Sequence, residues 1–259
     1  DNLDQPEIAR EGREILRDLY TTIKDSDEYL RFVFLTGVSK FSKVSIFSGL
    51  NNLKDISLDP RFATLCGYTE PDLDTVFAAG LHGADREKVR EWYNGYNFLG
   101  EAVYNPFDIL LFIDHGQVYK NYWFATGTPT FLIKLIEKQR FFIPELDGLQ
   151  VSASLIDSFD IEKLKLEPIL FQTGYLTIDQ TLQTGAMIQY RLRFPNLETR
   201  YSFNDHLLGS LTGQTSRRGL FQSQIYQALL AADLEAFAAT VKALFAAIPY
   251  NNYTNNPIG

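Results

Sequence analysis

Three polar residues, Thr36, Ser39 and Lys40, follow directly on the most apolar short run of the chain, Leu30 to Leu35, which only Arg31 interrupts. A strand buried on both faces reads as continuous apolar sequence, as inner strands of parallel sheets do. Open α/β sheets bind ligands just beyond the carboxyl ends of such strands. Thr36, Ser39 and Lys40 are therefore the candidate ligand-binding residues, with Lys43 in the same loop. A second group is basic. Residues 188–218 hold five arginines (191, 193, 200, 217 and 218) against Glu198 and Asp205, a local +3 in a chain of net charge -8. Arg191, Arg193 and Arg200 either meet a nucleic-acid backbone or pair with acids from another part of the chain. Pairing is the preferred reading.

Other chemistries find little support. His82, His115 and His206 lie far apart without ligand spacing, and Cys66 is the only cysteine, so no metal is expected. No internal disulfide can form, which points to a reducing, cytoplasmic setting. The sequence holds no G-x-x-x-x-G-K-[ST] loop, no apolar strand ending in paired acids, no G-x-S-x-G and no H-E-x-x-H. Glu162 to Lys165 has the E-x-K spacing of half a nuclease site, but it falls on an expected helix with no carboxylate strand before it. No apolar run approaches the roughly 20 residues needed to span a bilayer. At 45% hydrophobic and 22% charged, the 259 residues have the composition of a folded globular protein.

The elements that position these residues follow from periodicity. Asp4 to Lys24 predicts a helix with Ile8, Ile15, Leu16, Leu19 and Ile23 on one face. Leu30 to Leu35 predicts a strand, and Asp55 to Leu58 a second short one. The chain then turns helical to about residue 150. Ala84 to Tyr93 forms one helix, and Asn105-Pro106 and Thr128-Pro129 open two more, each with a capping side chain before a first-turn proline. The aromatics between Trp92 and Phe124 form a helical core or, less favoured, a base-stacking platform. Asp160 to Gln172 predicts a helix and Tyr175 to Ile178 a short strand. Met187 to Phe194 alternates cleanly and is expected to pair across Pro195-Asn196 with a return strand, Thr199 to Phe203. A helix followed by such a hairpin is winged-helix-like. Gly219 to Tyr250 is helical, with Asp233 positioned to cap a second helix within it.

Several long strings carry a resemblance: FVFLTGVSKFSKVSIFSGLNNLKDISLD, EWYNGYNF, VYNPFDILLF, NYWFATGTPTFL, LFQTGYLTI and FPNLETRYSF, in this order. Together they resemble the bacterial AAA-ATPase-like family of uncharacterised proteins, often fused to a C-terminal PD-(D/E)XK nuclease-like domain. The resemblance runs from Asp1 to about Tyr250. It implies a Walker A loop and a Walker B strand ahead of the first helix, and neither stands in this sequence. The expected fold is thus an α/β remnant of a P-loop NTPase core (1–60), then a mainly α-helical lid (61–150), a winged-helix-like α+β subdomain (151–215) and a helical linker toward the nuclease-like domain (216–259). Thr36 takes the place of a sensor-1 residue near the γ-phosphate and attacking water, with Ser39 and Lys40 in the following loop.

The resemblance further implies that ATP and Mg²⁺ belong to the intact protein, and that this chain alone neither holds them nor turns ATP over. The expected partners are nucleic acid at the basic hairpin and a second copy of the chain, with no membrane. The competing reading is a non-enzymatic nucleic-acid-binding or protein-interaction module.

Overall fold

A computed structural model of the chain describes residues 6–37, 53–123, 130–139, 141–156, 165–212 and 218–246. The first helix, α1 (Pro6–Asp25), forms as its periodicity predicts. Its apolar stripe is not covered: Ile8, Ile15 and Leu19 are exposed. The run that follows departs from expectation. Leu30 to Gly37 is outside any sheet, and Phe32 is 80% exposed. An inner strand needs ladder partners at both edges for its backbone groups, and no described residue supplies one. Asp55 to Leu58 is likewise no strand, because the Asp55 carboxylate accepts the Ser57 N–H at 3.0 Å and turns the chain.

Two apolar cores follow. The first is built by α2 (Glu70–Thr75), α3 (Arg86–Tyr93), α4 (Pro106–Asp114) and a short antiparallel ribbon, β1 (Asn94–Tyr96) with β2 (Val103–Tyr104). Side chains start each helix. Thr69 and Asp72 form a capping box on α2, the Asp85 carboxylate accepts the Lys88 N–H, and Asn105 accepts the Phe107 N–H. The aromatics pack inward. Tyr93 and Phe112 have ring centroids 5.6 Å apart, and Phe112 and Tyr119 lie at 4.8 Å. The described aromatics of this stretch thus form core and core edge, as the helical-core reading expects. Glu70 binds Arg86, Arg90 and the Tyr104 hydroxyl together, tying α2, α3 and β2.

The second core gathers α5 (Thr130–Gln139), β3 (Gln150–Ser152), α6 (Ala153–Ile156), α7 (Leu166–Gln172), β4 (Thr177–Thr184), β5 (Met187–Arg193) and α8 (Leu197–Thr212). The sheet is antiparallel in the order β3-β5-β4. Tyr190 and Leu192 of β5, and Phe194 just after it, face inward and Arg191 and Arg193 face out, as the alternation predicts. The partner strand is different from the one expected. β5 pairs with β4 before it, and the expected return strand Thr199 to Phe203 is the start of α8. The reason is a cap: Asn196 Oδ1 accepts both the Thr199 N–H at 2.9 Å and the Thr199 hydroxyl at 2.8 Å, so Pro195-Asn196 opens a helix rather than a hairpin.

Beyond it, α9 (Arg218–Leu230) and α10 (Leu234–Ala246) pack as a helical pair. As expected, Asp233 caps the second helix, accepting the Ala236 N–H at 2.9 Å. Among the described residues no helix is long and apolar enough to cross a membrane.

The cores meet where α3 packs on α8 and β1 runs beside β4. Gly95 makes this approach possible. Its φ is +124°, and a Cβ there would stand 1.9 Å from the Pro195 carbonyl oxygen. Gly95→Ala is therefore expected to destabilise the protein by about 3 kcal/mol or more, from strained backbone plus displacement of the α8 entry. Urea denaturation checks this, and a loss under 1 kcal/mol contradicts it.

Candidate functional site

The place where the cores meet holds the most unusual chemistry of the molecule. Asp108, in the first turn of α4, and Glu198, in the first turn of α8, are both 0% exposed. Glu198 Oε1 accepts the Trp123 N–H at 2.9 Å. Asp108 faces the same N–H and lies within hydrogen-bonding reach of the Glu198 carboxyl, without a well-directed hydrogen bond of its own. Two helix N-termini thus point their capping ends, each carrying an acid, into one buried space. The walls are aromatic: Tyr96 is buried, and Trp123 packs edge-on to it at 5.9 Å and lies over Gly174. The Tyr96 hydroxyl reaches Thr199 Oγ1 at 3.4 Å.

Burial pushes the Asp108 carboxyl up to about 6, and its contacts with Glu198 and the Trp123 N–H only partly offset this. No lysine or arginine contributes to that shift. Burial also raises the Tyr96 hydroxyl well above its ordinary value. The magnitudes show what two buried acids this close would cost if both were charged. Two ionised carboxylates about 4 Å apart repel by about 4 kcal/mol at an effective dielectric near 20, and each helix N-terminus returns up to about 2 kcal/mol. Desolvation of a second charge still costs several kcal/mol, so burial favours the neutral form of the Asp108 carboxyl. Nothing in the sequence paired these residues. Each stands next to a capping asparagine, in N-P-F-D and N-L-E-T, and two acids in capping turns are usually solvated.

The expected ligand site is not assembled. Thr36 is exposed in the extended stretch after Leu35, with no ladder partner among the described residues, and Ser39, Lys40 and Lys43 lie outside the described residues. Nor is any group of three or more His, Cys, Asp or Glu placed to hold a metal among the described residues.

The basic residues are brought to acids. Asp179 sits where the β4–β5 register shifts, between Ile178 and Gln180. From there it meets both outward arginines of β5: Arg191 Nη2 at 2.5 Å and Arg193 Nε at 3.4 Å. Arg193 also donates to the Phe194 and Pro195 carbonyls, each at 3.0 Å. Arg200, on α8 rather than on a strand, meets Asp147 at 2.5 Å and lies over the Phe194 ring. Both acids were legible as residues, but their positions depend on the true strand pairing.

The sequence profile of a family described as a predicted AAA-ATPase matches residues 1–47. A relative described as an "Uncharacterized protein in vnfD 5'region", from Azotobacter chroococcum mcd 1, is 51% identical over 258 residues. The match covers 100% of this chain and 50% of that protein, so the chain spans about half the length of the curated relative it matches. No solved structure matches.

Replacing Arg191, Arg193 and Arg200 together by Ala is expected to lower the melting temperature by a few degrees. Partly exposed pairs contribute about 1 kcal/mol or less each. Affinity for duplex DNA and its salt dependence are expected to stay unchanged. A gel shift whose salt slope flattens by about 0.9 per lost contact, with an unchanged melt, contradicts the pairing role.

Proposed function

We propose that this chain works as part of a longer AAA-ATPase-like protein, supplying a strand of the nucleotide-binding core followed by the helical and mixed units that respond to it. The observation that carries the reading is the family match over residues 1–47, a stretch that includes the apolar run Leu30 to Leu35 and Thr36. The run fits as an inner strand of a sheet completed by other sequence, which accounts for Phe32 and Tyr29 being 80% and 81% exposed. In that setting Thr36 is the sensor-1 residue beside the γ-phosphate, and Ser39 and Lys40 border the nucleotide. Phosphoryl transfer requires a P-loop lysine and Mg²⁺ ligands, so ATP, Mg²⁺ and turnover belong to the longer protein. By resemblance, that protein also carries a nuclease-like domain.

The order α5-β3-α6-α7-β4-β5, with β3 beside β5, supports the winged-helix-like reading of the second core. Its features favour protein packing over nucleic-acid reading. The helix α7, placed where a recognition helix would be, buries Leu166, Pro168, Ile169, Leu170 and Phe171, and the hairpin arginines are held by Asp179. Self-association through the exposed Phe32 and Phe34 is the alternative fate of the apolar run.

Calorimetry of the 259-residue chain with Mg-ATP is expected to show no binding, and micromolar affinity overturns that assignment. The longer gene product that contains this sequence is expected to hydrolyse ATP. Thr36→Ala in it is expected to lower kcat on the order of 100-fold with little change in ATP affinity. An inactive longer protein, or an unaffected kcat, overturns the reading.

A further inference from the structure

The sheet of the second core ends in a strand whose outer edge is open. We propose that this edge of β4, residues Gln180 to Thr184, pairs antiparallel with the same edge of a second copy of this chain, so that the two sheets run on as one.

The hairpin register shows which backbone groups face outward. Leu192 gives its N–H to the Leu149 carbonyl and accepts the Gly148 N–H, each at 2.8 Å. Leu192 and Tyr190 therefore turn their backbone groups toward β3, and Gln189 and Met187 turn theirs toward β4. Gln189 and Met187 stand opposite Leu182 and Thr184. The backbone groups of Leu182 and Thr184 are thus used within the hairpin, and those of Thr181 and Gln183 point away from it. β4 is the last strand in the order β3-β5-β4. Its start is covered by the chain after β1, where Thr177 Oγ1 accepts the Asn97 N–H at 2.7 Å. Beyond the register shift at Asp179, Gln180, Thr181, Gln183 and Thr184 are exposed. A strand edge with outward N–H and C=O groups is a template for another strand, and proteins commonly blunt it with charge or proline. From Gln180 to Tyr190 the chain has neither.

The edge is suited to its own copy. Gln180-Thr181-Leu182-Gln183-Thr184 reads nearly alike in both directions about Leu182. Antiparallel pairing centred there sets Thr181 against the partner's Gln183, and Gln183 against the partner's Thr181. All of these residues have outward backbone groups, so the pairing forms about four hydrogen bonds. Leu182 meets the partner's Leu182 in the close position without hydrogen bonds. A slip by one residue opposes outward groups to inward ones, and a slip by two runs into the Asp179 shift or the Gly185 turn. Charge points the same way. Each copy carries -8, so two copies repel broadly, and the uncharged ribbon is where they approach without like charges in contact. Asp179, at the end of the paired stretch, is already held by Arg191 and Arg193 of its own hairpin.

The paired stretch is short, so the dimer is a weak one. Sedimentation velocity of the 259-residue chain is expected to show reversible dimerisation as concentration rises toward about 0.5 mM. Leu182→Lys puts like charges directly opposite each other and is expected to raise the dissociation constant about tenfold or more. A monomer throughout overturns the proposal. So does a dimer that Leu182→Lys leaves unchanged, which points instead to the exposed Phe32 and Phe34. Cross-linking reads the register without a charge change, in protein whose exposed Cys66 is replaced by Ser. Leu182→Cys brings two thiols within disulfide reach, because Cα atoms opposed in this position lie about 4.5 Å apart. Thr184→Cys leaves its two thiols about four residues out of register, roughly 13 Å along the strands. Leu182→Cys is expected to cross-link much faster than Thr184→Cys in a glutathione redox buffer, and equal rates overturn the proposal. Neither readout depends on nucleotide.

Discussion

The two cores are joined by one close approach, α3 and β1 against the start of α8 and β4, with Gly95 seated against the Pro195 carbonyl. Helix ends carry unsatisfied N–H groups and a positive field, so burying two of them together requires acceptors. Asn105 and Asn196 supply them locally, and Asp108 and Glu198 add the negative charge that the two dipoles favour. The approach is close enough that only a glycine fits at residue 95. Trp123 completes it, giving its N–H to Glu198 and its ring to Gly174. The same region that joins the cores thus buries two carboxyls, Asp108 and Glu198.

The surface charges tell a complementary story. A cluster of arginines in an acidic chain suggests an anionic ligand, yet both hairpin arginines, and Arg200 on α8, are answered by an aspartate brought in by the fold. What remains exposed and unaccounted for is apolar: the Tyr29–Leu35 run and the stripe of α1. For a chain whose first 47 residues match a predicted AAA-ATPase family, unsatisfied apolar surface in that region carries more functional meaning than the basic hairpin does.

Much of this was legible in the sequence, for identifiable reasons. A capping Asn105 before the first-turn Pro106 placed α4, and clean alternation placed β5 with the correct inward face. Asp233 predicted the break between α9 and α10. The failures share a cause, competition between local signals. Pro195-Asn196 serves a turn or a cap equally well, and Thr199 at the third position after Asn196 decides for the cap. Asp55 does the same at Ser57. The apolar run was read as a strand, and among the described residues it has no ladder partner, because periodicity alone cannot supply one. The acid pair was invisible because it depends on a contact 90 residues apart in sequence, between two turns that each look solvated.

The two tryptophans, Trp92 at the edge of the first core and Trp123 against the second, allow the dependence of both cores on this contact to be measured without mutation. Fluorine NMR of fluorotryptophan-labelled protein follows each through thermal unfolding at pH 6. A single cooperative unit predicts that both native resonances disappear with the same midpoint. Separate midpoints, with one core folded while the other is lost, would contradict the claim that the close approach at Gly95 binds the two cores into one.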